Sequence, residues 1–261
     1  MKATILYKNK YSISYVEFGN QKGFPILIQH GLIASIGDFE LFSNLIDLDT
    51  HLISIARPGY GESSPYPLKN IAEWGEVVAI LVDQLQLSRF DILGMSSGAP
   101  YSYSIGYRFP DKARNIFIFS GTPALYDAEV TDHWPYEMKK NASIAEMQIL
   151  AEQLFFSGLS QTDLAMPDIQ DSMMNNCFGP ALDLRIRCMD WGFTLSEVHQ
   201  NVYMQHSRLD EGFITAQMTA KLLPNCIFTK RESAGHFSRQ LLDEFIQTIM
   251  VEHYSRQESC I

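Results

Sequence analysis

Phe90-Asp91-Ile92-Leu93-Gly94-Met95-Ser96-Ser97-Gly98-Ala99-Pro100 is the stretch that decides how this chain folds. Its first residues are mostly apolar and suit a short buried strand, and residues 99–109 suit a helix. The pattern G-x-S-x-G, from Gly94 to Gly98, places Ser96 on a tight turn between them. Glycine fits at both flanking positions because the backbone comes too close there for a Cβ. The pattern predicts a serine hydroxyl presented for chemistry; an ordinary turn in which serine caps the helix is the alternative.

Seven further segments around this stretch read as strands, at residues 3–7, 11–18, 25–29, 51–56, 115–119, 201–205 and 225–229. The first two alternate between apolar and polar residues and suit an antiparallel pair. The others alternate with helical segments, which favours a parallel sheet covered by helices on both faces. The sequence therefore predicts an α/β fold with a mostly parallel, eight-stranded sheet.

Residues 122–195 break this rhythm. They contain no convincing strand, and helical patches at 144–156, 168–176 and 180–191 are rich in methionine and aromatic residues. We interpret 122–195 as a helical cap, or lid, inserted into a core domain made of residues 1–121 and 196–261. An apolar lid predicts an apolar substrate pocket, although each of these side chains could simply pack in the cap's own core.

A serine nucleophile needs a base within hydrogen-bond reach, and histidine suits this role near neutral pH. Of the seven histidines, His236 is the best candidate, because it lies in a Gly-His turn after the last strand. In an open parallel sheet, sites form at the carboxyl ends of the strands, where Ser96 also lies. His206 closes a strand and is the main rival, whereas His30 is assigned a structural role.

The imidazole in turn needs an acid to fix its tautomer. Asp210 follows the strand at 201–205, which gives the chain order Ser96, Asp210, His236. Glu211 is the main alternative. Two further candidates, Asp183 and Asp190, lie in the predicted cap helices and are weaker.

A negatively charged tetrahedral intermediate needs hydrogen-bond donors that are already in place. The backbone N–H of Ser97, next to the nucleophile, is one predicted donor. The second is the backbone N–H of Leu32, in the loop after the strand at 25–29. Both are main-chain roles.

Composition and net charge indicate which classes of partner this protein is not expected to bind. The chain has 261 residues, 46% of them hydrophobic, and a formal net charge of −10, which disfavours nucleic acid and anionic membranes as partners. No signal peptide or membrane span is recognised.

The four cysteines, Cys177, Cys188, Cys226 and Cys260, form no C-x-x-C pair and no zinc-type cluster, so neither a metal nor another cofactor is expected. Reduced thiols suit a cytoplasmic protein. The oligomeric state is left open.

Together these features resemble the α/β-hydrolase superfamily, over residues 26–245. The resemblance rests on His30-Gly31, Arg57-Pro58-Gly59-Tyr60-Gly61-Glu62-Ser63, Gly94-Met95-Ser96-Ser97-Gly98, Asp210 and Gly235-His236. Three features depart from the family pattern: Ala56 where an acid is frequent, Met95 where His or Trp is common, and an acid loop (206–210) that lacks the usual small glycine. A serine at position 96, instead of aspartate, argues against the family's epoxide hydrolases and haloalkane dehalogenases.

The resemblance and the triad lead to one expectation for function. We expect a cofactor-independent serine hydrolase that cleaves a small, mostly apolar carboxylic ester or related acyl compound through an acyl-enzyme. The same triad could instead hydrolyse a carbon–carbon bond, a thioester or a lactone, or carry out perhydrolysis. A ligand-binding signalling protein with a vestigial triad is the alternative from a different class.

Overall fold

A computed structural model describes residues 2–254 of the chain and contains an eight-stranded sheet. The order of the strands is β1-β2-β4-β3-β5-β6-β7-β8. β1 pairs with β2, and β2 with β4, in antiparallel fashion, and all other neighbours are parallel, so the predicted sheet is confirmed. The strands are β1 (Lys2–Tyr7), β2 (Tyr11–Gly19), β3 (Phe24–Gln29), β4 (Thr50–Ile55), β5 (Phe90–Met95), β6 (Ala113–Phe119), β7 (Asn201–Ser207) and β8 (Cys226–Arg231).

Helices cover both faces of this sheet. They are α1 (Ser43–Ile46), α2 (Ala72–Gln84), α3 (Ala99–Arg108), α4 (Ala128–Asp132), α5 (Ile144–Phe155), α6 (Gln161–Leu164), α7 (Pro167–Ile186), α8 (Phe213–Leu222) and α9 (Arg239–Phe245), the last continuing as a π-helix, Ile246–Val251. Within residues 2–254, none of them is both long and apolar enough to cross a bilayer.

The central strands alternate between two hydrophobic clusters, as expected for a strand covered on both sides. In β5, Ile92 packs into the cluster that contains Trp74 and Val78 of α2. Its neighbour Leu93 packs into the cluster on the opposite face, with Phe245 of α9. This buried sheet provides a rigid base for the loops at the carboxyl ends of its strands.

The segment between β6 and β7 contains α4 to α7 and has a small core of its own. That core joins Met147 and Ala151 of α5 to Ala181 and Leu184 of α7. The side chain of Leu32, from the loop after β3, packs against this core. The segment therefore lies directly over the loop that was predicted to hold an oxyanion.

Helix α7 is broken near its middle. Sequence patterns predicted two helices there, at 168–176 and 180–191, and the second was placed too far along the chain, because α7 ends at Ile186. Residues 174–177 leave helical geometry, and Asn175 and Asn176 adopt φ values of 54° and 56°. Asparagine tolerates this left-handed region. Their freed carbonyl groups accept hydrogen bonds from Gln148 Nε2, at 3.1 and 2.8 Å.

Candidate active site

Ser96 lies at the end of β5, in a left-handed backbone conformation with φ of 48°. This conformation is strained for a residue other than glycine and is found mainly where function requires it. The flanking glycines have no room for a side chain: a Cβ on Gly94 would lie 2.2 Å from Ser102 Oγ, and one on Gly98 would lie 2.1 Å from the Gln29 carbonyl oxygen. The packing of α3 and β3 against the turn thus explains the G-x-S-x-G pattern.

The structure brings Ser96, His236 and Asp210 together in one chain of hydrogen bonds. Ser96 Oγ lies 2.8 Å from His236 Nε2, and His236 Nδ1 lies 2.9 Å from Asp210 Oδ2. Asp210 follows β7 and His236 follows β8, so all three residues meet at the carboxyl edge of the sheet. This geometry lets the imidazole accept the serine proton while the carboxylate holds its other nitrogen.

His206, the rival base in the sequence, also contacts Asp210. Its imidazole is 2% exposed, and Nε2 lies 3.2 Å from Asp210 Oδ1, at an angle poorer than that of a good hydrogen bond. Ser96 is hydrogen-bonded to His236 instead. The carboxylate of Asp210 therefore lies between two imidazoles.

The surroundings of Asp210 favour its charged form. Burial by itself would raise its pKa, but the contacts from His206 and His236 and the N–H of Gly212 outweigh that effect and hold the pKa of Asp210 well below its usual value. The Gly212 N–H donates to Oδ1 over 2.8 Å. The alternative acid, Glu211, accepts a hydrogen bond from Tyr136. Asp210 is thus ionised and held in place on both oxygens.

Two carbonyl groups of the loop after β3 accept hydrogen bonds from side chains of the loop after β4. Arg57 Nη2 donates to the Gly31 carbonyl over 2.8 Å, and Tyr60 Oη donates to the Leu32 carbonyl over 2.8 Å. In a trans peptide the N–H points opposite to the preceding carbonyl, so the Leu32 N–H points away from Arg57. A Cβ on Gly31 would lie 3.9 Å from Ser96 Cβ, which shows how closely this loop approaches the serine.

A buried ion pair fixes that loop to helix α7. The guanidinium of Arg57 is fully buried and lies 2.6 Å from Asp183 Oδ2. Burial disfavours a charged guanidinium, but Asp183 more than offsets this and keeps the pKa of Arg57 above its usual value. The hydroxyl of Tyr101 also donates to Asp183, over 2.6 Å. The hydroxyl of Tyr60 lies 2.9 Å from Asp183 and shares its single proton between this carboxylate and the Leu32 carbonyl. Asp183, a weak candidate acid in the sequence, is instead the centre of this network.

His30, beside the same loop, is neutral. Its Nε2 accepts from the backbone N–H of Arg57 over 3.2 Å, which leaves Nδ1 to donate to the Gly31 carbonyl over 2.8 Å. Burial and the charge of Arg57 lower the pKa of His30 well below its usual value. His30 thus has the structural role that the sequence assigned to it.

A cavity of about 1120 Å³ opens above Ser96. Apolar residues from the sheet loops and from the segment between β6 and β7 make up much of its wall: Ile33, Leu41, Met147, Leu150, Phe155 and Phe237. Leu32 and Ser97 also line it, so both predicted oxyanion donors belong to the same space as the serine. Arg187 and Trp134 line the cavity too; neither was singled out as a site residue from the sequence.

One group of side chains within residues 2–254 has the spacing of a metal site. It comprises His206, Asp210 and His236, whose ligand atoms lie within 4.8 Å of one another. Two imidazoles and a carboxylate are a ligand set that suits Zn²⁺. Two of these residues are already engaged in the hydrogen-bond chain to Ser96, which accounts for the grouping without an ion.

No family model matches the chain, but solved structures resemble it closely. An esterase from Exiguobacterium antarcticum is 18% identical, with a TM-score of 0.73 over 98% of this chain and all of that one. A bromoperoxidase from Bacillus anthracis is 17% identical, with a TM-score of 0.72 over 98% of this chain and all of that one. This likeness shows that the chain has the α/β-hydrolase fold.

A curated relative is an uncharacterized hydrolase of Bacillus subtilis, 27% identical over 99 residues. The match covers 38% of this chain and 35% of that protein. The chain thus aligns with about a third of the length of the curated relatives that it matches.

Proposed function

We propose that this α/β-hydrolase-fold protein is a serine hydrolase that cleaves a small, mostly apolar carboxylic ester or related acyl compound. The observation that supports the proposal most strongly is the hydrogen-bond chain from Ser96 through His236 to Asp210, with links of 2.8 and 2.9 Å. The curated relatives, which include a probable serine hydrolase of Drosophila melanogaster, and the esterase among the solved structures point to the same class of reaction.

In the proposed mechanism, His236 Nε2 removes the proton from Ser96 as Oγ attacks the carbonyl carbon. The C=O π electrons move to the carbonyl oxygen, and the N–H groups of Leu32 and Ser97 stabilise the resulting oxyanion. Asp210 stabilises the imidazolium that forms at the same time. The oxyanion then collapses, the C–O bond of the ester breaks, and His236 returns the proton to the departing alcohol.

Water completes the reaction on the acyl-enzyme. His236 takes a proton from the water as the water oxygen attacks the acyl carbon. The second tetrahedral intermediate then collapses, the bond between the acyl carbon and Ser96 Oγ breaks, and His236 returns the proton to Oγ. This step releases the acid and restores the serine hydroxyl. The apolar wall of the cavity favours the hydrocarbon part of the substrate.

The test compares two adjacent serines. Ser96→Ala should lower kcat on 4-nitrophenyl acetate and butyrate by at least about 10³-fold, because it removes the nucleophile. Ser97→Ala is the matched control and should stay within about tenfold of wild type, because its proposed donor is the main-chain N–H. A fluorophosphonate probe should label wild type but not Ser96→Ala. Undiminished ester turnover by Ser96→Ala would refute the assignment.

The same experiment separates the rival functions. Labelling of Ser96 without ester turnover would favour a different acyl substrate for the same triad, such as a thioester, a lactone, a diketone or a peracid precursor. Absence of labelling together with tight binding of a small ligand would favour a non-catalytic binding protein.

A further inference from the structure

Three side chains that line the cavity have buried polar atoms without a hydrogen-bond partner within residues 2–254. One is His206, which contacts Asp210, and the other two are Arg187, at Nε, and Trp134, at the indole Nε1. Buried donors in folded proteins are almost always paired, and those that are not call for an explanation. Arg187 and Trp134 therefore line the cavity that contains Ser96 with part of their hydrogen-bonding capacity unused.

These two donors belong to one cluster. The guanidinium carbon of Arg187 lies 5.7 Å from the centroid of the Trp134 ring. The Trp134 ring in turn packs beside the acid loop: a Cβ on Gly212 would lie 3.5 Å from Trp134 Cζ3 and 3.1 Å from Asp210 Oδ1. The pair is thus next to the predicted triad, on the side of the cavity formed by the segment between β6 and β7.

Arg187 differs from the other cations that line the cavity. Lys139 forms an ion pair with Glu137, and Arg239 forms one with Asp38. Arg187 has no carboxylate within 4 Å in the described part of the chain, and it belongs to a protein whose net charge is −10. A partly buried guanidinium that forms no ion pair is unfavourable, and an anion entering the cavity would relieve that cost.

The main chain at Arg187 is well anchored. Its N–H donates to the Asp183 carbonyl over 3.3 Å, and its own carbonyl accepts from Trp191 Nε1 over 3.0 Å. Arg187 is the C-cap of α7 and directly follows its last residue, Ile186. The same helix supplies Asp183 to the buried network. The guanidinium thus starts from a fixed position on the cavity wall, which suits recognition of a ligand group at a defined distance from Ser96.

We propose that Arg187 and Trp134 form a subsite for a carboxylate group of the substrate. The substrate is then an acyl compound with an apolar chain and an anionic end, such as the half-ester of a dicarboxylic acid. A guanidinium is well suited to a carboxylate, and the indole N–H adds a neutral donor. The nearby acidic groups, Asp210 and Glu211, favour a singly charged group over a dianion. This proposal rests on the hydrolase function proposed above and adds a substrate class to it.

Matched esters of graded length test the subsite. The monomethyl and dimethyl esters of one dicarboxylic acid differ by one negative charge and one methyl group, and the succinic, adipic and suberic pairs differ in span. We expect wild type to prefer the monomethyl ester at one or more lengths. Arg187→Met should then lower kcat/KM for that anionic ester roughly tenfold to hundredfold, and change kcat/KM for the neutral diester less than about threefold. Arg187→Lys should recover part of the loss.

Arg185→Met is the matched control, because it removes the same charge from the same helix. Arg185 donates to the Ala142 carbonyl over 3.0 Å and is not part of the cavity wall. It should retain the preference for the anionic ester. A thermal unfolding midpoint for each variant separates a lost contact from a lost fold, and Arg187→Gln replaces Arg187→Met if the latter does not fold.

A binding measurement keeps the two proposals apart. Titration calorimetry of monomethyl adipate with Ser96→Ala, and with Ser96→Ala/Arg187→Met, reads the subsite without turnover. Weaker binding by the double variant supports the subsite even if every ester proves to be a poor substrate. Equal binding by both proteins, or a wild type that prefers the diester at every length, would overturn the proposal.

Discussion

His206 lies 3.2 Å from Asp210, on the carboxylate oxygen that does not face His236. His206 lies in β7, four residues before Asp210, and its bulky imidazole fills the space behind the acid. It is 2% exposed and so has few alternative positions. This contact limits the rotation of the carboxylate relative to His236.

We expect His206→Gln to lower kcat roughly tenfold with little change in KM, because small displacements of a catalytic group reduce the chemical step more than binding. His199→Gln is the control, since His199 is exposed and lies just before β7. Steady-state kinetics on one ester for both variants measure the effect. A fall in kcat of the same size in the control would remove the positioning role of His206.

The choice of acid is tested by an adjacent pair of carboxylates. We expect Asp210→Asn to lower kcat by about 10³- to 10⁴-fold, because the amide favours the wrong imidazole tautomer and carries no charge. Glu211→Gln, whose carboxylate bonds to Tyr136, should stay within about threefold. Kinetics at pH 7 to 8 check both, and a larger loss in Glu211→Gln would reverse the assignment.

Asp210 also makes a pH-dependent contribution to stability. Because its pKa in the folded protein is depressed below the value of about 3.9 found in unfolded chains, its charge stabilises the folded state above that pH. We expect the difference in free energy of unfolding between wild type and Asp210→Asn to be largest near neutral pH and to shrink below about pH 4. Urea titrations from pH 7 to pH 3.5 measure it. A difference that grows toward acid pH would contradict this sign.

Variants of Tyr60 and Tyr101 distinguish the contact with the Leu32 loop from the contact with Asp183. Both hydroxyls lie within hydrogen-bond distance of Asp183, but only that of Tyr60 also reaches the Leu32 carbonyl, and its single proton is shared between the two acceptors. We expect Tyr60→Phe to lower kcat roughly tenfold by loosening an oxyanion donor, and Tyr101→Phe to stay within about threefold. Equal losses of kcat in the two variants would show that the loop does not depend on Tyr60.

Substitution of a glycine that flanks Ser96 should destabilise the folded protein. Gly98→Ala should reduce the free energy of unfolding by about 1–3 kcal/mol, because the new Cβ meets the main-chain carbonyl of Gln29 and a backbone shift is needed. Gly37→Ala is the control, because its Cβ would lie 3.7 Å from Ser35 Oγ, which is an ordinary van der Waals contact. That variant should stay within about 0.5 kcal/mol of wild type in urea unfolding.

Local sequence predicted the sheet well, because strand periodicity and strand-end glycines act within a few residues. The order of the strand-end residues also anticipated that Ser96, Asp210 and His236 would lie near one another, although their catalytic roles are proposals. The break in α7 was not anticipated at its true extent. It depends on Asn175 and Asn176 and on Gln148, whose amide satisfies the freed carbonyls from another helix.

Contacts between distant parts of the chain were the least predictable. Arg57 and Asp183 are 126 residues apart, and an isolated aspartate in a predicted helix carries no sign of a buried partner. The position of Arg187 in the cavity wall was equally unpredictable, because an arginine near a helix end is usually interpreted as a solvent-exposed charge. The role proposed for Arg187 depends on two features that sequence spacing does not reveal. These are its contact with Trp134 and the absence of an ion-pair partner among the described residues.

The pairing of Arg57 with Asp183 joins two pieces of the protein that could otherwise diverge independently. A chimera that exchanged residues 122–195 for the equivalent piece of another α/β-hydrolase-fold protein would bury the guanidinium without its counter-ion unless the donor sequence carried an acid at the same place. Exchanging the segment between β6 and β7 therefore means transferring the aspartate and the arginine as one unit.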